Sequence, residues 1–178
     1  MSLIFEKITV SYHHKLPFAC FKKPNVSKLK AYFGGDTSLK YSTSFEEEGF
    51  IFAPFHNENN SIVFLSNAFD IIEEPYYNNT QLFSEKNFEA SVNDKKSHLE
   101  LVITGIDAIK NNTFKKVVLS RKENVKLTSF DLVEVFERLL QKYDNAFVYV
   151  WFHPEVGLWL GATPERLVTI KNKEFHTT

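Results

Sequence analysis

A lysine opens an apolar run in the second half of the chain. Lys116 begins the sequence Lys-Val-Val-Leu-Ser-Arg, whose β-branched residues favour a β-strand. Strand alternation places Lys116, Val118 and Ser120 on one face. A lysine on such a face either extends its ammonium to solvent at the strand end, or it loses solvation. Desolvation lowers a lysine pKa from ~10.4 and makes the amine a usable general base near neutrality. The residues alone leave both interpretations open.

A carboxylate follows a rigid turn further along the chain. The sequence Gly161-Ala-Thr-Pro-Glu165 places two small residues and a proline before the acid. Small residues permit close approach of the backbone, and Pro164 fixes the backbone just before Glu165. Taken alone, Glu165 reads as an ordinary loop acid.

Other common catalytic sites are missing from the sequence. It contains no glycine-rich phosphate loop, no pair of histidines at metal-binding spacing and no Gly-x-Ser-x-Gly motif. The six histidines are scattered, which favours loop or surface roles over metal binding. The single cysteine, Cys20, excludes an internal disulfide and is typical of a reducing compartment. Its apolar surroundings predict a strand residue rather than an activated thiolate.

Charge and hydropathy exclude further classes of protein. The net charge is −1, which argues against a broad nucleic-acid surface. No run reaches the roughly 18 apolar residues of a membrane span, and the N-terminus lacks the pattern of a signal peptide. These features predict a soluble, cytoplasmic protein with no nucleic-acid or membrane partner.

The predicted elements are two helices and several short strands. Apolar residues recur at helical spacing over 92–111, with Ser91 or Asn93 as N-cap, and over 129–142, with Ser129 as N-cap. Hairpin-length connections join the later strands and predict an α+β fold, with antiparallel sheets and flanking helices. Residues 2–13 fit neither a helix nor a strand cleanly, and the polar segment 73–79 predicts a loop. The predicted strands cover 15–22, 29–33, 49–54, 62–65, 115–121, 146–152, 158–162 and 166–170.

The two motifs together resemble the paired signatures of the chorismate-utilising enzymes. Lys116-Val-Val-Leu-Ser-Arg121 and Gly161-Ala-Thr-Pro-Glu165-Arg-Leu167 are similar to them in sequence, in separation and in the helix between them. The N-terminal region, with Gly49-Phe-Ile-Phe-Ala-Pro-Phe55, resembles isochorismate synthases of Bacteroidetes-type bacteria. The resemblance implies a partial version of the chorismate-utilising enzyme fold. It also implies chorismate as the substrate and a place in menaquinone biosynthesis.

Roles for the two candidate residues follow from this resemblance. Isochorismate and salicylate synthases carry lysine at the position of Lys116, where it is proposed to deprotonate the attacking water, whereas anthranilate synthases typically carry glutamine. Glu165 matches the family's general acid. The resemblance therefore implies that water attacks C2 of chorismate and that the C4 hydroxyl departs, with Lys116 as base and Glu165 as acid.

The resemblance also predicts what the chain lacks. It divides residues 1–178, as the N-terminal part of one chorismate-binding domain, into a family-variable region (about 1–80) and the start of the catalytic core (about 90–178). A C-terminal half would follow, and the ligands of Mg²⁺ are expected beyond residue 178. We therefore expect no turnover of chorismate by this chain alone, and possible self-association through exposed sheet edges.

Two alternatives stay open at this point. One is a salicylate synthase or another chorismate-utilising enzyme, because the residues that would separate these activities lie in the predicted second half. The other is a non-catalytic half-domain that binds chorismate or a partner chain.

Overall fold

A computed structural model describes most of the chain. The described residues are 2–42, 44, 46–54, 61–78, 92–127, 129–164, 168–172 and 174–176. They divide into two compact units. The first unit comprises Met1–Gln81 with Asp131–Thr178, and the second comprises Leu82–Phe130.

Three helices and ten strands follow one another along the described chain. The helices are α1 (Leu3–His13), α2 (Val92–Lys110) and α3 (Leu132–Lys142). The strands are β1 (Phe18–Lys22), β2 (Lys28–Phe33), β3 (Tyr41–Ser42), β4 (Gly49–Phe52), β5 (Ser61–Leu65), β6 (Asp70–Pro75), β7 (Phe147–His153), β8 (Gly157–Thr163), β9 (Thr169–Lys171) and β10 (Glu174–His176).

A five-stranded antiparallel sheet organises the first unit. Its strand order is β6-β2-β1-β7-β8, so β1 is central. Cys20 on β1 pairs with Ala31 on one side and with Val150 on the other. Two smaller sheets accompany it, with the orders β3-β5-β4 and β10-β9. Antiparallel sheets with flanking helices confirm the predicted α+β class.

Both faces of the large sheet are covered, and successive side chains of β1 point alternately into the two cores. Phe18 and Cys20 pack into a core shared with α1 and α3. Ala19 and Phe21 point the other way, into an aromatic core shared with Phe50 and other residues of the small sheet. This period of two is the normal geometry of a strand buried on both faces.

The structure resolves one ambiguity and corrects one prediction for the first unit. Residues 2–13, which were ambiguous, form α1, and its Ile4 and Ile8 are fully buried against the sheet. The predicted loop at 73–79 is wrong over residues 73–75, because this segment is the end of edge strand β6. Its polar residues are compatible with a strand because, among the described strands, β6 pairs with β2 alone and forms the edge of the sheet.

The helix predicted at 129–142 is confirmed as α3, with a different N-cap. Asp131 caps it, since its carboxylate Oδ1 accepts a hydrogen bond of 2.9 Å from the N–H of Glu134. Glu134 and Arg138 form an ion pair one turn apart. Leu132, Phe136 and Leu140 supply the buried face.

The second unit contains the predicted helix but not the predicted strand. Helix α2 spans Val92–Lys110, as the apolar stripe indicates. Residues 115–121 form no strand, and that prediction is wrong. A strand depends on hydrogen bonds to a neighbouring strand, and this segment makes none among the described residues. It packs instead on α2, where a Cβ at Gly105 would lie 3.3 Å from Val117 and 3.4 Å from Leu119.

Candidate functional site

Lys116 lies in the irregular segment of the second unit. The alternation predicted for this segment is visible without a strand: Val117 and Leu119 approach α2, whereas Val118 is 82% exposed. Lys116, on the same face as Val118, is exposed as well. Within its own unit the ammonium is therefore in contact with solvent, as in the first of the two interpretations above.

The motif of Glu165 begins at the end of β8. Gly161, Ala162 and Thr163 are the last residues of that strand, and Pro164 leaves the sheet. Glu165 itself is outside the described residues. The structure therefore gives the route of the backbone as far as Pro164.

Gly161 is required by the side chain opposite it. Gly161 pairs with Tyr149 across β7 and β8, and a Cβ at this position would lie 2.7 Å from the Cε1, Cζ and Oη atoms of Tyr149. The phenol thus occupies the space above the glycine. Burial raises the pKa of the Tyr149 hydroxyl, which stays protonated at neutral pH. The close approach predicted for this motif is a contact with a neighbouring strand.

A groove of about 750 Å³ lies beside Pro164. The turn after β1, the start of β7, the end of β8 and β9 all contribute to it. The polar residues that line it are Lys23, Asn25, Asn145, Thr163 and Thr169. A cation together with amides suits a carboxylate ligand. Sequence patterns did not single out these residues, because the groove joins segments that are distant in the chain.

A second cavity of about 430 Å³ shares Lys23 and Phe147 with the groove. It lies where the large sheet meets β4, and aromatic rings form much of its wall. Its polar groups include Lys30 and Glu48. The aromatic lining residues are Phe21, Tyr32, Phe50, Phe52, Phe147 and Tyr149.

Lys22 is a buried cation that the sequence analysis missed. Its side chain is 1% exposed, and its Nζ donates to the backbone carbonyl of Asp144 at 2.7 Å and to the Asp144 carboxylate at 3.1 Å. The sequence feature that could have indicated its burial is its position at the end of an apolar strand. Its bonds fasten β1 to the turn between α3 and β7, so its role is structural.

Comparison with known proteins identifies the family of the chain. The model of the chorismate binding enzyme family matches residues 51–178, which is well over half of the sequence. The chain belongs to the chorismate-binding enzyme family. The match includes both Lys116 and Glu165, and it includes the whole of β7 and β8. No curated protein and no solved structure matches the chain.

Membership of the chorismate-binding enzyme family implies chorismate, a dicarboxylate, as the substrate. The matched region contains three strands of the large sheet, β6, β7 and β8, whereas β1 and β2 precede residue 51.

Three further features of this chorismate-binding enzyme concern its cysteine, metal-binding side chains and membrane-spanning helices. Cys20 is fully buried, and burial, with a smaller effect of the negative charge of Glu74, raises the pKa of its thiol. A thiolate nucleophile there is excluded. Among the described residues, no three His, Cys, Asp or Glu side chains lie close enough to hold a metal ion. No described helix is both long and apolar enough to cross a membrane.

Proposed function

We propose that this chain carries the acid and the base of an isochorismate synthase. The observation that carries the proposal is a lysine at position 116 inside the region that matches the chorismate-binding enzymes. Family members that use water as nucleophile have lysine at this position, whereas those that use ammonia typically have glutamine. Lys116 therefore favours water as the attacking group.

The proposed reaction replaces the hydroxyl group at C4 of chorismate by a hydroxyl group at C2. Water attacks C2 of chorismate and loses a proton to the neutral amine of Lys116. The ring double bonds shift, and the C4–O bond breaks. The carboxylic acid of Glu165 donates a proton to the departing oxygen, which leaves as water. One water enters and one leaves, so the product is an isomer of the substrate.

The decisive experiment is product analysis in the protein encoded by the complete reading frame. Proton NMR of chorismate after incubation should show isochorismate, and Lys116→Gln and Glu165→Gln should each lower kcat by about 10²–10⁴-fold. Lys115→Gln, which removes the neighbouring lysine, and Glu155→Gln, which removes an exposed acid, should keep near wild-type activity. Wild-type activity in Lys116→Gln would contradict the role of Lys116 as base.

The same incubation tests the runner-up activity. A salicylate synthase adds elimination of pyruvate, which lactate dehydrogenase detects through oxidation of NADH. A stoichiometric yield of pyruvate would contradict the assignment as an isochorismate synthase and would favour a salicylate synthase. Chorismate binding without any product, in the complete protein, would favour a non-catalytic binding domain.

Several consequences of the resemblance remain predictions. The Mg²⁺ requirement is one, because its ligands are expected beyond residue 178; removal of Mg²⁺ with EDTA should abolish activity, and added Mg²⁺ should restore it. The other predictions are that residues 1–178 alone are inactive, that the chain self-associates, that it is cytoplasmic, and that it acts in menaquinone synthesis.

A further inference from the structure

A buried histidine closes the turn between β7 and β8. His153 is the last residue of β7 and is 1% exposed. Its ring Nδ1 accepts a hydrogen bond of 3.2 Å from the N–H of Glu155, and its backbone carbonyl accepts one of 3.0 Å from the N–H of Val156. Two successive amides of the turn are thus held by one residue. Gly157, with φ of +103°, then starts β8.

The bond from Glu155 fixes the protonation state of the ring. A ring nitrogen can accept a hydrogen bond only through its lone pair, so the single proton of neutral His153 is on Nε2. A second proton would be added at Nδ1, where it would point at the N–H of Glu155. Two donors would then face each other, and the bond would be lost.

The surroundings of His153 oppose this second proton. Burial lowers the pKa of His153 below its ordinary 6.5, and this effect exceeds the opposing effects of Glu155, the Thr37 backbone and Asp36. Asp36 itself accepts hydrogen bonds from the hydroxyl and the N–H of Ser38, and Lys40 is a nearby positive charge. From β5, the residue next to the ring is the apolar Phe64, at 6.4 Å between ring centroids.

We propose that His153 is a proton-sensitive latch for the β7–β8 turn. The neutral ring holds the amide of Glu155, and protonation releases it and loosens the start of β8. Strand β8 ends at Thr163, two residues before Glu165. Acid therefore acts on the strand that leads to the candidate catalytic segment, whichever reaction that segment performs.

The pH window follows from the direction of the shift. Above about pH 6.5 the ring is neutral in both the folded and the unfolded chain. As the pH falls below that value, the unfolded chain takes up a proton and the folded chain resists it, so the latched state loses stability relative to open states. The loss continues until the pH passes the lowered pKa of the folded state.

Amide hydrogen exchange of the chain, followed by NMR, tests the latch. Exchange at Glu155, corrected for its intrinsic pH dependence, should change little between pH 7.5 and 6.5 and should accelerate up to about tenfold between pH 6.5 and 5.5. Val150, which pairs with strands on both sides, should keep its protection. His153→Asn offers an amide oxygen near the position of Nδ1 and does not titrate, so it should remove the pH dependence.

The control is His176→Asn, which replaces an exposed histidine of β10 and should leave the pH dependence intact. The proposal is overturned if Glu155 stays protected while the His153 ring titrates. It is also overturned if Val150 loses protection in parallel, because acid would then unfold the whole sheet. Neither readout depends on chorismate, so the latch and the proposed activity can fail separately.

Discussion

The ammonium of Lys22 is enclosed by the protein, while the carboxylate that it contacts is open to solvent. The Lys22 side chain is 1% exposed and the Asp144 side chain is 69% exposed. Solvent around the carboxylate weakens the ion pair. The bond to the Asp144 carbonyl and the packing of the lysine stem are therefore the larger contributions of Lys22 to stability.

Substitutions at Lys22 should separate packing from charge. Lys22→Ala removes the buried stem and leaves a cavity, so it should lower the free energy of unfolding by about 2–4 kcal/mol. Lys22→Met keeps most of the volume and removes the cost of burying a charge, so it should lower it by less than about 1.5 kcal/mol. Urea unfolding of both variants gives the comparison. Equal losses would show that the bonds of the ammonium, and not the packing of the stem, dominate.

The sequence singles out candidate residues where a motif surrounds them. Lys116 and Glu165 stand out because their neighbours form specific signatures, and the family match covers both positions. Lys23 and Asn145 did not stand out, because they meet only when β1 and β7 pair. A side chain whose importance depends on a distant neighbour leaves no local pattern.

At the scale of elements, α3 shows how capping chemistry selects one residue from several candidates. Both Ser129 and Asp131 are good N-cap types, and both precede the apolar face. The structure selects Asp131, whose backbone is extended (φ −114°, ψ 115°) while its side chain returns to Glu134. Sequence patterns gave the helix, but the first residue depended on backbone geometry.

Alanine substitutions should reproduce this selection. Asp131→Ala removes the acceptor for the N–H of Glu134 and a negative charge at the helix N-terminus. It should cost about 1 kcal/mol of unfolding free energy. Ser129→Ala should cost less than about 0.5 kcal/mol, since Ser129 is exposed and outside the helix. Thermal unfolding followed by circular dichroism measures both, and a larger loss for Ser129→Ala would assign the cap to Ser129.

The end of β8 depends on a contact between two strands. Gly161→Ala would place a methyl group 2.7 Å from the Tyr149 ring, so it should destabilise the protein by about 1–3 kcal/mol. Removing the ring should relieve the clash, and Gly161→Ala should cost much less in a Tyr149→Ala background. Gly35→Ala is the control, because its Cβ would meet nothing within 4 Å. Additive losses at Gly161 and Tyr149 in urea unfolding would contradict the contact.

Strands were harder to predict than helices for one physical reason. A helix satisfies its hydrogen bonds locally, and the apolar stripe at 92–111 was sufficient to predict α2. A strand requires a partner that the local sequence does not reveal. The polar segment 73–75 becomes part of β6 because β2 is beside it, whereas the β-branched segment 115–121 has no strand neighbour among the described residues and stays irregular.

At the scale of the whole molecule, the central position of β1 makes Cys20 a reporter of global unfolding. Its strand lies between β2 and β7, its side chain is fully buried in the core shared with α1 and α3, and burial raises the pKa of its thiol. Both effects protect it from thiol reagents in the folded protein.

The reaction of Cys20 with Ellman's reagent should therefore follow unfolding. In native buffer the rate should be at least about 10³-fold slower than in urea, for an unfolding free energy near the usual lower limit of 5 kcal/mol. The urea dependence of the rate should match that of global unfolding. Fast labelling in native buffer would show local opening of the central strands.

Strand β1 also sets the order in which the chain can fold during its own synthesis. One of its two neighbours, β2, follows within a few residues, but the other is β7, and Lys22 and Asp144 are 122 positions apart. At about 5–20 residues per second, a ribosome needs on the order of 6–25 s to supply that second neighbour. During this interval the nascent chain has an apolar β1 with one edge unpaired, which is the state that chaperones bind and that aggregates when they do not.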